Sequence, residues 1–121
     1  MNFTVEQKVA VTKMAMAMAE ADGKVETREG VLIALQTSSW KLGESVFDAA
    51  GALSADAAMS ILSSMTLEQK KYVCGYLACI SIVDGSCSEK ESVLWKLVCT
   101  LANFPIMKFG DALEFYKNNQ Q

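Results

Sequence analysis

The sequence predicts an all-α domain of about seven helices, built by duplicating one helix–loop–helix unit and centred on two buried helices. Three observations predict this fold: a helix-favouring composition, two halves that align without a gap, and the same helix-capping signal at the start of each half. Of the 121 residues, 51% are hydrophobic and 21% are charged, with one proline and seven glycines. So few turn-forming residues favour helices over a β-sandwich or barrel, and the length is typical of one domain.

An internal repeat at an offset of 62 residues relates the two halves. The run TVEQK at 4–8 recurs as TLEQK at 66–70, and Asp22-Gly23 recurs as Asp84-Gly85. We therefore expect a single domain over 1–121 with repeat halves at about 4–62 and 66–121, related by a pseudo-two-fold axis. The other identities at this offset are Glu29 with Glu91, Val31-Leu32 with Val93-Leu94, Leu35 with Leu97, Phe47 with Phe109, and Ala50 with Ala112.

The first helix of each half is predicted to be central and buried. Thr4 and Thr66 are good N-cap residues, and a glutamine three positions after each completes a capping box. The sequences that follow would place apolar residues on almost every side of a helix, which is typical of a helix that does not face solvent. Both helices are expected to end at Asp-Gly, where Gly23 and Gly85 can adopt the left-handed conformation.

The remaining helices follow from start and stop signals. A second helix is predicted from about Glu26 to Ser39 in the first half, and from about Ser88 to Ala102 in the second. Glu29 and Glu91 would complete capping boxes at their starts. Short helices at 43–53 and 54–65 and a terminal helix at 107–118 complete the fold.

Charge and hydropathy limit the classes of partner that this protein is expected to bind. The formal charge is −3 and no basic stripe is visible, which argues against nucleic acid and against an anionic membrane surface. The start does not resemble a secretory signal, and the apolar stretches fall short of the ~20 residues that a span needs, so we expect a cytoplasmic protein without membrane insertion. The cysteines are then expected to be reduced thiols, and a zinc site is disfavoured because histidine is absent; they are Cys74, Cys79, Cys87 and Cys99.

The acidic loops are the candidate site. The pattern Asp-Gly-x-apolar-x-x-basic-Glu occurs at 22–29 and at 84–91. It places one carboxylate at a helix end and another in the first turn of the next helix, with Val25 or Cys87 expected to point inward. If the loops meet, their oxygen-only ligands suit Ca²⁺, Mg²⁺ or Mn²⁺. Capping alone explains the same acids, so both interpretations stay open. The candidate ligands are Asp22, Glu29, Asp84 and Glu91.

The first loop, Ala21-Asp22-Gly23-Lys24-Val25 with Glu29 and Val31-Leu32, resembles the tellurite-resistance TerB-like family. Residues 83–94 resemble that family's second copy, and the resemblance covers about 3–117. It implies a seven-helix domain with an acidic metal-binding face, acting in chemical-stress responses at the inner side of the membrane. The four candidate acids match the family's motif acids. Gly30 within a helix and Ser86-Cys87-Ser88 in the second loop depart from the pattern.

No enzymatic site is visible in the sequence. Histidine is absent, no serine or cysteine has an evident base, and there is no glycine-rich phosphate loop. We therefore expect a non-enzymatic stress-response domain whose acidic surface binds a divalent cation, a basic protein partner of unknown identity, or both. That partner would be membrane-associated if the family's location applies. The alternative is a plain protein–protein interaction module whose loop acids only cap helices.

Overall fold

The computed structural model describes residues 1–21, 23, 25–83 and 89–120, and within these ranges it contains seven α-helices and no strand. The prediction of an all-α fold with about seven helices is confirmed. The helices are α1 (Val5–Ala19), α2 (Thr27–Ser39), α3 (Ser45–Ala52), α4 (Ala55–Ser63), α5 (Leu67–Ile82), α6 (Glu89–Leu101) and α7 (Phe109–Asn118).

Both predicted threonine capping boxes are present. Thr4 Oγ1 accepts a hydrogen bond from Gln7 N at 3.1 Å, and Gln7 Oε1 accepts one from Thr4 N at 2.9 Å. Thr66 and Gln69 repeat this geometry at 3.2 and 3.0 Å. Gln69 Nε2 also donates to Gln7 Oε1 at 3.2 Å, so equivalent residues of the two halves touch each other. Such a contact is expected beside a pseudo-two-fold axis.

The core is centred on α1 and α5, as predicted. Both have almost no polar face and bury most of their length. Helix α5 packs chiefly on α7, and α1 packs on α3, α4 and α5. A chain of aromatic rings continues from Phe3 through Tyr72 and Tyr116 to Tyr76, with centroid separations of 5.1 to 5.6 Å. Burial of these apolar side chains holds the two halves together.

The duplication is visible in the helices themselves. Helices α1, α2 and α3 correspond to α5, α6 and α7, and α4 connects the halves. Helices α2 and α6 end in the same Schellman motif, with the left-handed residues Lys41 (φ 60°) and Asn103 (φ 54°) 62 positions apart. The next residues, Leu42 and Phe104, donate their amides back to the third-last helical carbonyls at 3.0 and 2.8 Å.

The predicted helix bounds agree with the structure to within about three residues. Helix α1 ends at Ala19, before the Asp-Gly pair, and α7 begins at Phe109 because the chain is extended after Pro105. Within the described ranges, no single helix is both long and apolar enough to cross a membrane. Helices α3 and α4, which meet at a bend of 100°, satisfy the length and composition requirement only as a pair.

Candidate functional site

The first acidic loop contains the predicted carboxylate cap. Glu29 lies in the first turn of α2 with 3% of its surface exposed, and its Oε1 accepts a hydrogen bond from Glu26 N at 2.9 Å. Gly23, with φ of 92°, has the left-handed conformation expected of it. One oxygen of the Glu29 carboxylate therefore caps α2, while a carboxylate as a whole can accept several further interactions.

The second half repeats the position of this glutamate. Glu91 lies in the first turn of α6 and is also 3% exposed. Asp22 and Asp84, the other two predicted ligands, lie outside the described residues, as do the predicted cap Ser88 and the loop thiol Cys87. The structure thus locates the two glutamates at equivalent, buried helix starts.

The described residues that flank the two loops lie close together. Ala21, which immediately precedes Asp22, lines a cavity of about 500 Å³ together with residues of α6. Among these, Glu89 and Lys90 directly follow the 84–88 segment. Helices α1 and α6 are accordingly in contact. The end of α1 and the start of α6 therefore share one end of the domain.

Metal-ligating side chains do not cluster in the part of the chain that the structure describes. No group of three or more aspartate, glutamate, cysteine or histidine residues is arranged there to hold an ion. That statement covers Glu29 and Glu91 but neither of the two loop aspartates, since both lie outside the described ranges.

The prediction for Val25 was wrong. Its side chain was expected to point inward, yet 45% of it is exposed. Its Cγ1 lies 3.8 Å from the position that a Cβ on Gly30 would occupy, so the valine lies along the surface of α2. A Cβ at position 30 would be in ordinary van der Waals contact with this valine, so the contact does not require glycine there.

A pair of exposed apolar stripes was not predicted. Val31 and Leu35 on α2 are 52% and 63% exposed, and their equivalents Val93 and Leu97 on α6 are 59% and 49% exposed. Leu101, one turn further along α6, is 58% exposed. These positions were aligned by the repeat, but sequence alone does not tell a buried leucine from an exposed one. Apolar residues grouped on a surface are typical of interaction sites.

A contact between two thiols was also missed. Cys74 Sγ on α5 lies 3.6 Å from Cys99 Sγ on α6. The two are 25 positions apart on different helices, so no local spacing indicates their meeting. The repeat offset pairs these cysteines with Thr12 and Thr37, which are both buried in the first half.

The sequence matches no protein-family profile and no curated protein. A crystal structure of a protein of unknown function from Porphyromonas gingivalis superimposes with a TM-score of 0.83 at 30% sequence identity. The match covers 98% of this chain and 92% of that one. Similarity of both sequence and fold over nearly the whole length of both proteins exceeds what a shared helical class produces. The chain therefore belongs to the same protein family as this P. gingivalis protein of unknown function.

Proposed function

We propose that this domain is a non-enzymatic binding domain that holds a divalent cation at its paired acidic loops. The observation that carries the proposal is that residues flanking the two loops, Ala21 on one side and Glu89 and Lys90 on the other, line the same cavity. If the loops follow the described residues that flank them, the two copies of the acidic motif would bring up to four carboxylates together. Like charges at short range are stabilised by a cation. Oxygen ligands favour Ca²⁺, Mg²⁺ or Mn²⁺.

The capping role of Glu29 is compatible with this function. Its Oε1 accepts the Glu26 amide, and the remaining lone pairs of the carboxylate are enough for a metal bond. The resemblance to TerB-like proteins adds the biological setting to the proposal: a cytoplasmic stress-response domain that acts with a partner at the inner side of the membrane.

A second candidate function is protein binding without a metal. Val93 and Leu97 of the exposed stripe on α6 line the cavity of about 500 Å³ together with Leu94, Glu89 and Lys90. The net charge of −3 favours a partner segment with basic residues, and the apolar stripe favours one that is amphipathic. In this function the loop acids only cap their helices.

Thermal unfolding of the full chain in Ca²⁺, Mg²⁺ and Mn²⁺ separates the two functions. A cation at a hundred times its dissociation constant adds about 2.7 kcal/mol of stability. We expect one of these ions to raise the unfolding midpoint, and the double variant Glu29→Gln/Glu91→Gln to abolish the increase. Glutamine keeps the capping acceptor, as Gln7 and Gln69 show, and removes only the charge.

The matched control is Glu44→Gln/Asp111→Asn, which removes two exposed carboxylates away from the loops. It should leave the cation response unchanged. If no ion raises the midpoint, or if both double variants respond like the wild type, the cation proposal is wrong and the protein-binding function is the one to pursue.

A further inference from the structure

The two thiols in contact join the central helix α5 to α6. Cys74 is 1% exposed and Cys99 is half-buried, and the sulfur atoms are 3.6 Å apart. Both are free thiols in the structure. A disulfide requires a sulfur–sulfur separation of about 2.05 Å, so a movement of roughly 1.5 Å closes the bond. That is within the reach of a rotation about the Cα–Cβ bond of the half-buried residue.

Hydrogen bonds hold the backbone on both sides of this contact. Trp95 lies one helical turn before Cys99, and its Nε1 donates to the Cys74 carbonyl at 2.9 Å in the core. After the contact, the Asn103 carbonyl accepts from Lys70 Nζ at 3.1 Å. Because α6 is fastened to α5 before and after Cys99, the two sulfur atoms stay near each other as the molecule fluctuates.

A cavity gives small molecules access to the thiols. It measures about 480 Å³, and both cysteines line it together with Trp95, Phe104, Pro105 and Met107. The lining is largely apolar, which suits a small uncharged reagent better than an ionic one. Hydrogen peroxide is such a reagent and is little larger than water.

We propose that Cys74 and Cys99 form a redox-active dithiol, which hydrogen peroxide converts to a disulfide between α5 and α6. This site is separate from the acidic loops and does not depend on the cation proposal.

The reaction takes two steps. Cys74 first releases its proton, and the resulting thiolate attacks one peroxide oxygen, forming an S–O bond and breaking the O–O bond; the departing hydroxide combines with the released proton as water. Cys99 Sγ then attacks Cys74 Sγ, forming the S–S bond and breaking the S–O bond, and its proton leaves with the hydroxide as a second water. Two thiols and one peroxide thus give one disulfide and two waters.

The hydrogen bond between the sulfurs supports these roles. The hydrogen bond shared with Cys99 lowers the pKa of the Cys74 thiol and outweighs burial, which raises it. The same bond and burial raise the pKa of Cys99. We assign the first attack to Cys74 on this direction of the pKa shifts, and the resolving step to Cys99 because its sulfur lies 3.6 Å away.

The duplication supplies matched variants. The first half has Thr12 and Thr37 at the equivalent positions, where each hydroxyl bonds to a carbonyl of its own helix. Threonine is thus tolerated at these places in the fold. Cys99→Thr removes the resolving thiol at a half-buried position, and Cys79→Ser is the control because Cys79 is a half-buried thiol of α5 outside the pair.

The full chain is treated with hydrogen peroxide and analysed by intact mass and peptide mapping. We expect the wild type and Cys79→Ser to lose about 2 Da, with a bridge between Cys74 and Cys99 that dithiothreitol reverses. Cys99→Thr should instead gain oxygen at Cys74. The proposal is overturned if the wild type forms no bridge, if oxidation starts at another cysteine while this pair stays reduced, or if Cys99→Thr still loses the two hydrogens.

Discussion

At the scale of single residues, the core contains a polar contact that the apolar sequence of the core helices does not indicate. Tyr72 donates its hydroxyl to Gln36 Oε1 at 2.6 Å, and both residues are buried. Gln36 Nε2 has no hydrogen-bond acceptor among the described residues. The repeat pairs Gln36 with Val98, which is fully buried and apolar. The two halves therefore fill the same place in the core with different residues. In the first half, burying the amide group of Gln36 costs desolvation free energy.

Because Tyr76 is buried, the free energy of unfolding is expected to decrease at alkaline pH. Burial raises its pKa well above the ordinary value, and the neighbouring Tyr116 and Tyr72 raise it further. A group whose pKa is raised by folding contributes stability below its unfolded pKa of about 10 and loses it as the pH rises past that value. We expect urea unfolding to show a loss of stability as the pH is raised above about 10, and this loss to be smaller in Tyr76→Phe. Parallel pH profiles for the two proteins would contradict this.

At the scale of helices, the Schellman end of α2 is strained at one residue. Lys41 and Asn103 both have positive φ, but asparagine tolerates this conformation, whereas it costs a residue such as lysine about 1–2 kcal/mol relative to the right-handed region. Lys41 is exposed, so its replacement changes little else. The strain is tolerated because the motif satisfies the last carbonyls of the helix.

Replacing Lys41 by glycine should relieve this strain. We expect Lys41→Gly to stabilise the domain by about 0.5–1 kcal/mol, since part of the gain is offset by the extra freedom of glycine in the unfolded chain. Chemical denaturation measures the change. Lys41→Ala removes the same charge without relieving the conformation, so equal effects of the two substitutions would show that the strain argument is wrong.

The packing of α5 on α7 depends on a glycine. A Cβ on Gly75 would overlap the Ala112 carbonyl oxygen and would lie 2.6 Å from the Tyr116 Cβ. Backbone atoms on the opposite helix cannot rotate away, so the helices would have to separate. We expect Gly75→Ala to cost about 1–3 kcal/mol in denaturant unfolding.

Gly110 on α7 is the control, because a Cβ there meets nothing within 4 Å. Gly110→Ala should be neutral or stabilising by up to about 1 kcal/mol, given the higher helix propensity of alanine. Two alanine substitutions with similar effects would contradict the close-packing explanation for Gly75.

At the scale of the whole molecule, duplication explains both the symmetry and the divergence of the site. Gln7 and Gln69, which are equivalent in the repeat, touch each other, and the described residues that flank the two acidic loops line the same cavity. At the positions where the first half has Thr12 and Thr37, the second half has Cys74 and Cys99. The two halves thus share their loop acids, whereas only the second half has the thiol pair.

Much of the fold was predictable from the sequence because its signals are local. The capping boxes at Thr4 and Thr66, the carboxylate cap at Glu29 and the left-handed Gly23 all depend on residues within four positions of each other. The repeat predicted which helices of the two halves correspond to each other. For the candidate site, the sequence predicted that Glu29 and Glu91 lie in the first turns of their helices. The bound cation is our proposal.

By itself, then, the sequence determined the helical class, the helix starts and the two buried central helices, since short-range hydrogen bonds and apolar periodicity act along the chain. Only the tertiary structure decided which apolar residues face solvent, such as Leu35 and Leu97, and which thiols meet across α5 and α6. Those outcomes depend on helix packing between residues far apart in the chain, and a linear pattern does not contain that information.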